Sequence, residues 1–436
     1  MSEAQAKVAP LPASERQPRQ QHVTAGLASL IGTTIEWYDF FLYGTAAALI
    51  FNQIFFPAFD PIAGTLAAFA TYSVGFFARP LGGMIFGRFG DRIGRKSMLI
   101  VTLYLMGIPT ILIGLVPSYD SIGYWAALLL VIMRFLQGVA VGGEWGGAVL
   151  MAVEHAPKGK KGFFGSLPQT GVAPGLILSS FAMGAVAMLP EEDMLSWGWR
   201  LPFLASVFLL AVGVYIRVRV SESPDFEKMI TRGTESRLPL LDVVRKHPRA
   251  VLTVVGCRLA EVTWFYTVVV FSLAYATGTL GVSKSTMLDA TIWGAFLAMF
   301  MMPFFGVLGD KIGPKWIFVA GTMGIFLFGS VFFNLIGTES AFWINIAMII
   351  AIGVVYAAMY GPQGALFSAQ FPPEVRYSGI SLGVQVSGAI GGGIAPLVAT
   401  WLLSVGDGSP RYVAWYLAAL GIIVFFSALR MRSEAS

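Results

Sequence analysis

Twelve long apolar runs leave this chain few folds to choose from. They fall near 24–50, 62–87, 97–116, 123–150, 162–188, 199–217, 249–277, 285–308, 316–336, 341–367, 377–403 and 411–430. About 20 apolar residues in a helix span the hydrocarbon core of a bilayer. Lipid offers no partner for a bare N–H or C=O, so such runs must be helices. Only 12% of the 436 residues are charged, against about 25% in a soluble domain. The expected fold is an all-α integral membrane protein with twelve transmembrane helices.

Lysine and arginine set the direction. With the N-terminus inside, 23 of the 29 basic residues lie on the inner side, three lie outside (Arg200, Lys284, Arg411), and Arg79, Arg134 and Arg258 fall within runs. That asymmetry predicts two cytoplasmic termini and a multi-pass protein of the bacterial cytoplasmic (inner) membrane. Residues 1–23 are polar, hold Pro10, Pro12 and Pro18, and read as a disordered tail without a removable signal peptide. Residues 218–248 are charged, hold Pro224, Pro239 and Pro248, and read as a cytoplasmic linker. It separates a six-helix bundle over 24–217 from a second over 249–430, with 431–436 as a short tail.

A repeated phrase supports that division. Residues 87–96 read GRFGDRIGRK and residues 306–315 read GVLGDKIGPK, 219 positions apart. Each copy occupies the loop between the second and third helix of its half. Duplication in a membrane protein points to a pathway built between two repeats. Asp91 and Asp310 correspond in the two copies. Each is expected to cap the positive end of a neighbouring helix or to pair across the interface between bundles, holding an inner gate. Arg92 and Arg95 join them as gating candidates. Pro314 replaces a basic residue, which makes the second gate the weaker.

The first copy resembles the signature of the major facilitator superfamily, and RFLQG at 134–138 resembles that family's fourth-helix signature. EWYDF at 36–40, GFFARPLGG at 75–83, GEWGGA at 143–148 and WGWRLPF at 197–203 look like its metabolite:proton symporter branch. That branch carries shikimate, 2-oxoglutarate, citrate, and proline or betaine. GSLPQTGVAPG at 165–175 is most similar to the shikimate-type members. The resemblance implies two bundles around a cavity that opens alternately to each side, lined by the first, fourth, seventh and tenth helices.

Away from their ends, eight charged residues interrupt the runs: Glu36, Asp39, Arg79, Arg134, Glu144, Arg258, Glu261 and Asp289. Each costs roughly 2.5–3.5 kcal/mol at mid-bilayer unless it meets water or a partner. Most fall in helix-period stripes: Glu36, Asp39 and Tyr43; Arg134, Gln137, Val141 and Glu144; Arg258, Glu261 and Phe265; Tyr356, Tyr360 and Gln363. These are the four helices that the resemblance puts around the cavity.

Arg134 is either a two-pronged site for a substrate carboxylate or a partner of Glu36 or Asp39. Asp39 and Glu36 are the proton-coupling candidates, because all three histidines (His22, His155, His247) fall in cytoplasmic segments. Arg258 and Glu261 form a substrate clamp or an internal pair. Gln137, Tyr38, Tyr43, Gln169, Tyr266, Tyr360 and Gln385 complete the substrate candidates, with helix-to-helix contact as the alternative for Gln169 and Gln385. Arg79 and Glu144 read as gating residues. A proton on Asp39 or Glu36 would free an arginine for an organic anion, which gives ordered coupling.

The predicted protein is therefore a secondary transporter that imports a small organic acid with protons and acts as a monomer. A zwitterionic osmolyte such as proline or betaine is the alternative substrate, since Trp37, Tyr38, Trp264, Phe265 and Tyr266 could contact a quaternary amine. The single cysteine, Cys257, excludes cysteine zinc sites. No metal, cofactor or nucleic-acid partner is expected. The sequence holds no arrangement of an enzyme, and a membrane sensor is the remote alternative.

Overall fold

A computed structural model describes residues 13–93, 95–142, 159–219, 245–372 and 376–432, with a few single residues between them. The fold is all-helical. Its long helices are α1 (Ala13–Leu49), α2 (Pro61–Ile93), α3 (Arg95–Ile113), α4 (Tyr124–Val141), α5 (Lys161–Ala187), α6 (Arg200–Arg219), α7 (Pro248–Gly278), α8 (Lys284–Ile312), α9 (Pro314–Ile336), α10 (Ala341–Ser368), α11 (Ser378–Val405) and α12 (Arg411–Leu429). Among the described residues, nine helices are long and apolar enough to cross a membrane, and ten if the bent pair Glu191–Gly198 and Arg200–Tyr215 is one span. Phe181, Phe208, Leu327 and Trp401 are exposed on outer surfaces, a pattern that suits lipid and not water.

Three boundaries differ from the sequence reading. Helix α1 starts at Ala13, inside the segment expected to be a disordered tail. The repeated phrase is mostly helix, not loop: α2 continues to Ile93 and α8 to Ile312. Nothing in G-x-x-G-D-[RK]-I stops a helix. In the second copy the chain turns at Gly313, whose φ of 96° is the left-handed conformation glycine tolerates, and Pro314 then opens α9. Most of the expected linker 218–248 lies outside the described residues.

Helices α1–α6 pack mainly on one another (α1 on α5, α2 on α4, α3 on α6), and so do α7–α12 (α7 on α11 and α12, α9 on α12, α8 on α10). Between these sets, α2 meets α11, and α5 packs on α8 more extensively than on α1 and also meets α10. Glycines permit the closest crossings. A Cβ on Gly138 of α4 would stand 2.0 Å from the Gly75 carbonyl of α2, and one on Gly162 of α5 would stand 2.3 Å from the Gly306 carbonyl of α8. Backbones in such contact gain dispersion without an apolar driving force, as helices in lipid require.

The tryptophan-arginine phrase at 197–203 closes one end of the first six helices. Arg200 Nη1 donates to the carbonyls of Gly114 at 3.0 Å and Val116 at 2.7 Å, just past the end of α3. A cation there satisfies orphan carbonyls and suits the negative helix end. Trp199 packs fully buried against Phe51, Phe55 and Phe203.

Candidate functional site

The stripe of α7, with Tyr356 of α10, faces a small cavity of about 10 Å³, room for about one water molecule. Its walls are Trp37 of α1, Phe76 and Arg79 of α2, Arg258, Glu261, Val262, Phe265 and Tyr266 of α7, Tyr356 of α10 and Gly388 of α11. Helices α7, α10 and α11 each hold a π stretch, at Thr267–Phe271, Ile349–Tyr356 and Gly388–Gly393. Such wide turns recur at functional sites, and here Tyr356 and Gly388 belong to both a π stretch and the cavity wall.

On one side stand the carboxylate and the arginine of α7. Arg258 Nη1 meets Glu261 Oε2 at 3.4 Å and donates to Gln363 Oε1 of α10. Gln363 Nε2 donates back to Glu261 Oε2 at 3.1 Å. All three side chains are buried. The spacing of three residues puts Arg258 above Glu261 on one helix face, and Gln363 ties that pair to α10. Arg258 also lies over the Tyr360 ring, 5.7 Å from its centroid.

On the other side the arginines rest on aromatic rings. Arg134 of α4 is 0% exposed. Its guanidinium carbon lies 3.9 Å from the Phe40 centroid, 4.5 Å from Tyr43 and 4.6 Å from Tyr72. Arg134 Nη1 donates to Gln137 Oε1 at 3.0 Å, and Gln137 Nε2 donates to Thr110 Oγ1 at 2.7 Å. Tyr43 Oη and Thr71 Oγ1 share a 2.7 Å hydrogen bond. A desolvated cation over a ring is worth about 2 kcal/mol, so three rings hold Arg134 firmly. Among the described residues, Arg134 Nη2 has no hydrogen-bond partner.

Arg134 forms no ion pair with Asp39. Asp39 is 2% exposed and accepts from Ser206 Oγ of α6 at 3.2 Å, with Thr110 also beside it. Glu36, half-buried on α1, acts electrostatically on Arg79. Arg79 lies 4.4 Å from the centroids of both Phe40 and Phe76, and its side chain faces the cavity. The sequence reading gave Arg79 a gating role; its guanidinium stands in the wall of this cavity.

Several expected substrate contacts face other helices here. Tyr38 Oη donates to the Pro202 carbonyl of α6 at 2.9 Å. Gln169 Nε2 donates to the Tyr360 carbonyl at 2.7 Å, and Gln385 Nε2 to the Gly142 carbonyl at 3.0 Å. Both glutamines thus take the helix-to-helix role in this conformation, and both join α1–α6 to α7–α12. Phe76, Thr110 and Ser206 were not anticipated. Each is a common residue in an apolar run, and only the packing gives it a site.

At one end of the molecule Asp310 joins α8 to α5. Its Oδ1 accepts from the Gly162 amide at 2.6 Å and its Oδ2 from the Phe163 amide at 2.9 Å. The second-copy aspartate of α8 therefore caps the first turn of α5, beside the Gly162–Gly306 crossing. The side chains of Asp91, Arg92 and Arg95, and all of Glu144, lie outside the described residues. At the opposite end, a recess of about 340 Å³ opens between Ala187–Met194 and Thr277–Ser285. Lys284 and Glu191 face each other across it at 4.0 Å.

Comparison with known proteins agrees with this architecture. A family model described as "Sugar (and other) transporter" matches residues 24–242, and one described as "Major Facilitator Superfamily" matches residues 259–436. The chain is 41% identical to the shikimate transporter of Escherichia coli strain K12, over 94% of each chain. It is 30% identical to the proline/betaine transporter of Salmonella typhimurium, over 94% of this chain and 83% of that one. The xylose transporter of E. coli, in a partially occluded inward-open conformation, superposes with a TM-score of 0.72 at 19% identity, over 95% of this chain and 98% of that one.

Proposed function

The chain belongs to the major facilitator superfamily of membrane transporters, and we propose that it imports a small organic acid together with protons. The observation that carries this reading is the cavity wall, which holds two guanidiniums, Arg79 and Arg258, and the buried carboxylate of Glu261 among aromatic rings. Glu36 acts on Arg79 and Arg258 on Glu261, so a substrate carboxylate meets these guanidiniums once one of the two acids is protonated. Guanidiniums also suit carboxylates in geometry, through paired donors. The relation to a shikimate transporter favours a hydroxylated carboxylic acid of that size.

In this reading all twelve long helices span the bacterial inner membrane, in two six-helix bundles with cytoplasmic termini. The end capped by Asp310 faces the cytoplasm, and the wide recess at Lys284 faces outward. A cavity of about 10 Å³ is too small for any organic acid, so this conformation is occluded and the bundles must rock apart to load it. Asp39 carries a coupling proton. It is buried beside hydroxyls, with no basic nitrogen within 4.0 Å among the described residues. An unpaired buried charge is costly, and a proton removes it. Glu36 joins it by acting on Arg79. Arg134, seated on three rings, supports this proton site and reaches substrate only after rearrangement. The protein works as a monomer.

A zwitterionic osmolyte is the second reading. Trp37, Phe265, Tyr266 and Tyr356 give the cavity aromatic walls, which suit a quaternary amine, and a proline/betaine transporter is among the relatives. A thermal-stability screen of purified protein separates the two. Shikimate and related acids should raise the melting temperature, and proline and betaine should not. Stabilisation by the osmolytes alone would reverse the assignment.

A further inference from the structure

Three side chains hold a second device within the cavity wall. Glu261 Oε2 receives Gln363 Nε2 at 3.1 Å but Arg258 Nη1 only at 3.4 Å. A charge-assisted contact of guanidinium with carboxylate normally lies near 2.7–2.9 Å and is often two-pronged. The contact of 3.4 Å is therefore long for such a pair, although both groups are buried. The shorter contact to Glu261 comes from a neutral amide on another helix. Arg258 Nη1 also donates to Gln363 Oε1. A free carboxylate reaching Arg258 could form better contacts than Glu261 does.

Resting on the organic-acid reading, we propose that Glu261 is an internal stand-in for the substrate's carboxylate. In the empty protein it occupies Arg258, steadied by Gln363. The arriving carboxylate takes its place on Arg258, and Glu261 then accepts a proton from solvent on a carboxyl oxygen. The only bond formed is that O–H bond. The charge balance of the wall changes by the bound anion and the bound proton, which cancel. This makes Glu261 a substrate-linked proton site, additional to Asp39 and Glu36, and it makes Gln363 a positioning residue.

The groups around the pair suit such an exchange. Arg258 comes from its own helix, and Tyr356 and Tyr360 come from α10. Arg79 comes from α2, with Glu36 of α1 acting on Arg79. Helix α11 brings Gly388, which holds no titratable group. No other carboxylate lines this cavity among the described residues. The acid that yields Arg258 to the substrate is therefore Glu261.

The test measures shikimate affinity, and protons taken up per shikimate bound, on the purified full chain in weakly buffered detergent solution. Loss of a competing charged contact predicts that Glu261→Gln binds shikimate roughly tenfold more tightly and takes up no proton at that site. Gln363→Met frees Glu261 from its clamp, so it too should bind more tightly, yet keep the proton uptake. A Glu261→Gln protein that binds more weakly, or takes up the wild-type number of protons, overturns the proposal; the pair is then structural, or Asp39 carries the whole coupling. If wild-type protein binds no carboxylic acid at all, the organic-acid reading falls first and this inference falls with it.

Discussion

Removing the Asp310 cap should open the closed end of the molecule. Asp310 is the acceptor for two amides of α5, at 2.6 and 2.9 Å. A lost N-terminal cap costs about 0.5–2 kcal/mol, and a carboxylate at the positive helix end adds about 0.3–1 kcal/mol. Because the contact joins α8 to α5, that energy is lost when the two helices part. Asp310→Ala should therefore shift the closed-to-open ratio by about 1–3 kcal/mol, a factor of roughly 5–150. Asp310→Asn keeps an acceptor and loses only the charge, so its shift should be the smaller. Spin labels at the exposed residues Lys160 and Lys311, with Cys257 replaced by alanine, would report the distance between the two helix ends. A long-distance population should grow in the order wild type, Asn, Ala. An unchanged distance distribution in Asp310→Ala would refute the gating role, whatever happens to transport.

Other outcomes follow from the same geometry. Asp39→Asn should abolish accumulation driven by a proton gradient while leaving substrate exchange partly intact, as counterflow in liposomes would report; full accumulation would clear Asp39 of the carrier role. Gly162→Ala puts a methyl group 2.3 Å from the Gly306 carbonyl, so it should disfavour the closed end and raise accessibility to thiol reagents of a cysteine placed in the α5–α8 seam. Arg200→Ala leaves the Gly114 and Val116 carbonyls without their donor at a cost of roughly 1–3 kcal/mol; it should lower the melting temperature without changing substrate affinity.

Much of this architecture was readable in one dimension because its causes are local. Apolar length and the demand for paired backbone groups mark the helices, and a spacing of three brings Arg258 and Glu261 onto one face. For Asp310 the sequence left a helix cap and an ion pair across the bundles as alternatives, and the contacts to the Gly162 and Phe163 amides are those of a cap. What stayed hidden was the rotation of each helix against its neighbours. Periodicity gives a face but not what the face meets. Tyr38 and Asp39 are adjacent on α1 and both turn toward α6, to Pro202 and Ser206. Arg79 was assigned by its depth along α2, yet a long side chain can reach inward from there to the cavity. Gln363 looked like one member of a stripe with Tyr356 and Tyr360. Its part in holding Glu261 depends on α7 and α10 lying side by side, and no spacing within either helix encodes that.

The central claim is coupling of an organic acid to protons, and purified protein in liposomes tests it directly. With shikimate outside and an inward proton gradient, the acid should accumulate above its external concentration. Without a gradient, shikimate entry should make the external medium more alkaline, and Asp39→Asn should do neither. Shikimate uptake with no proton movement would contradict the coupling, and no proton movement with any organic acid would contradict the account as a whole.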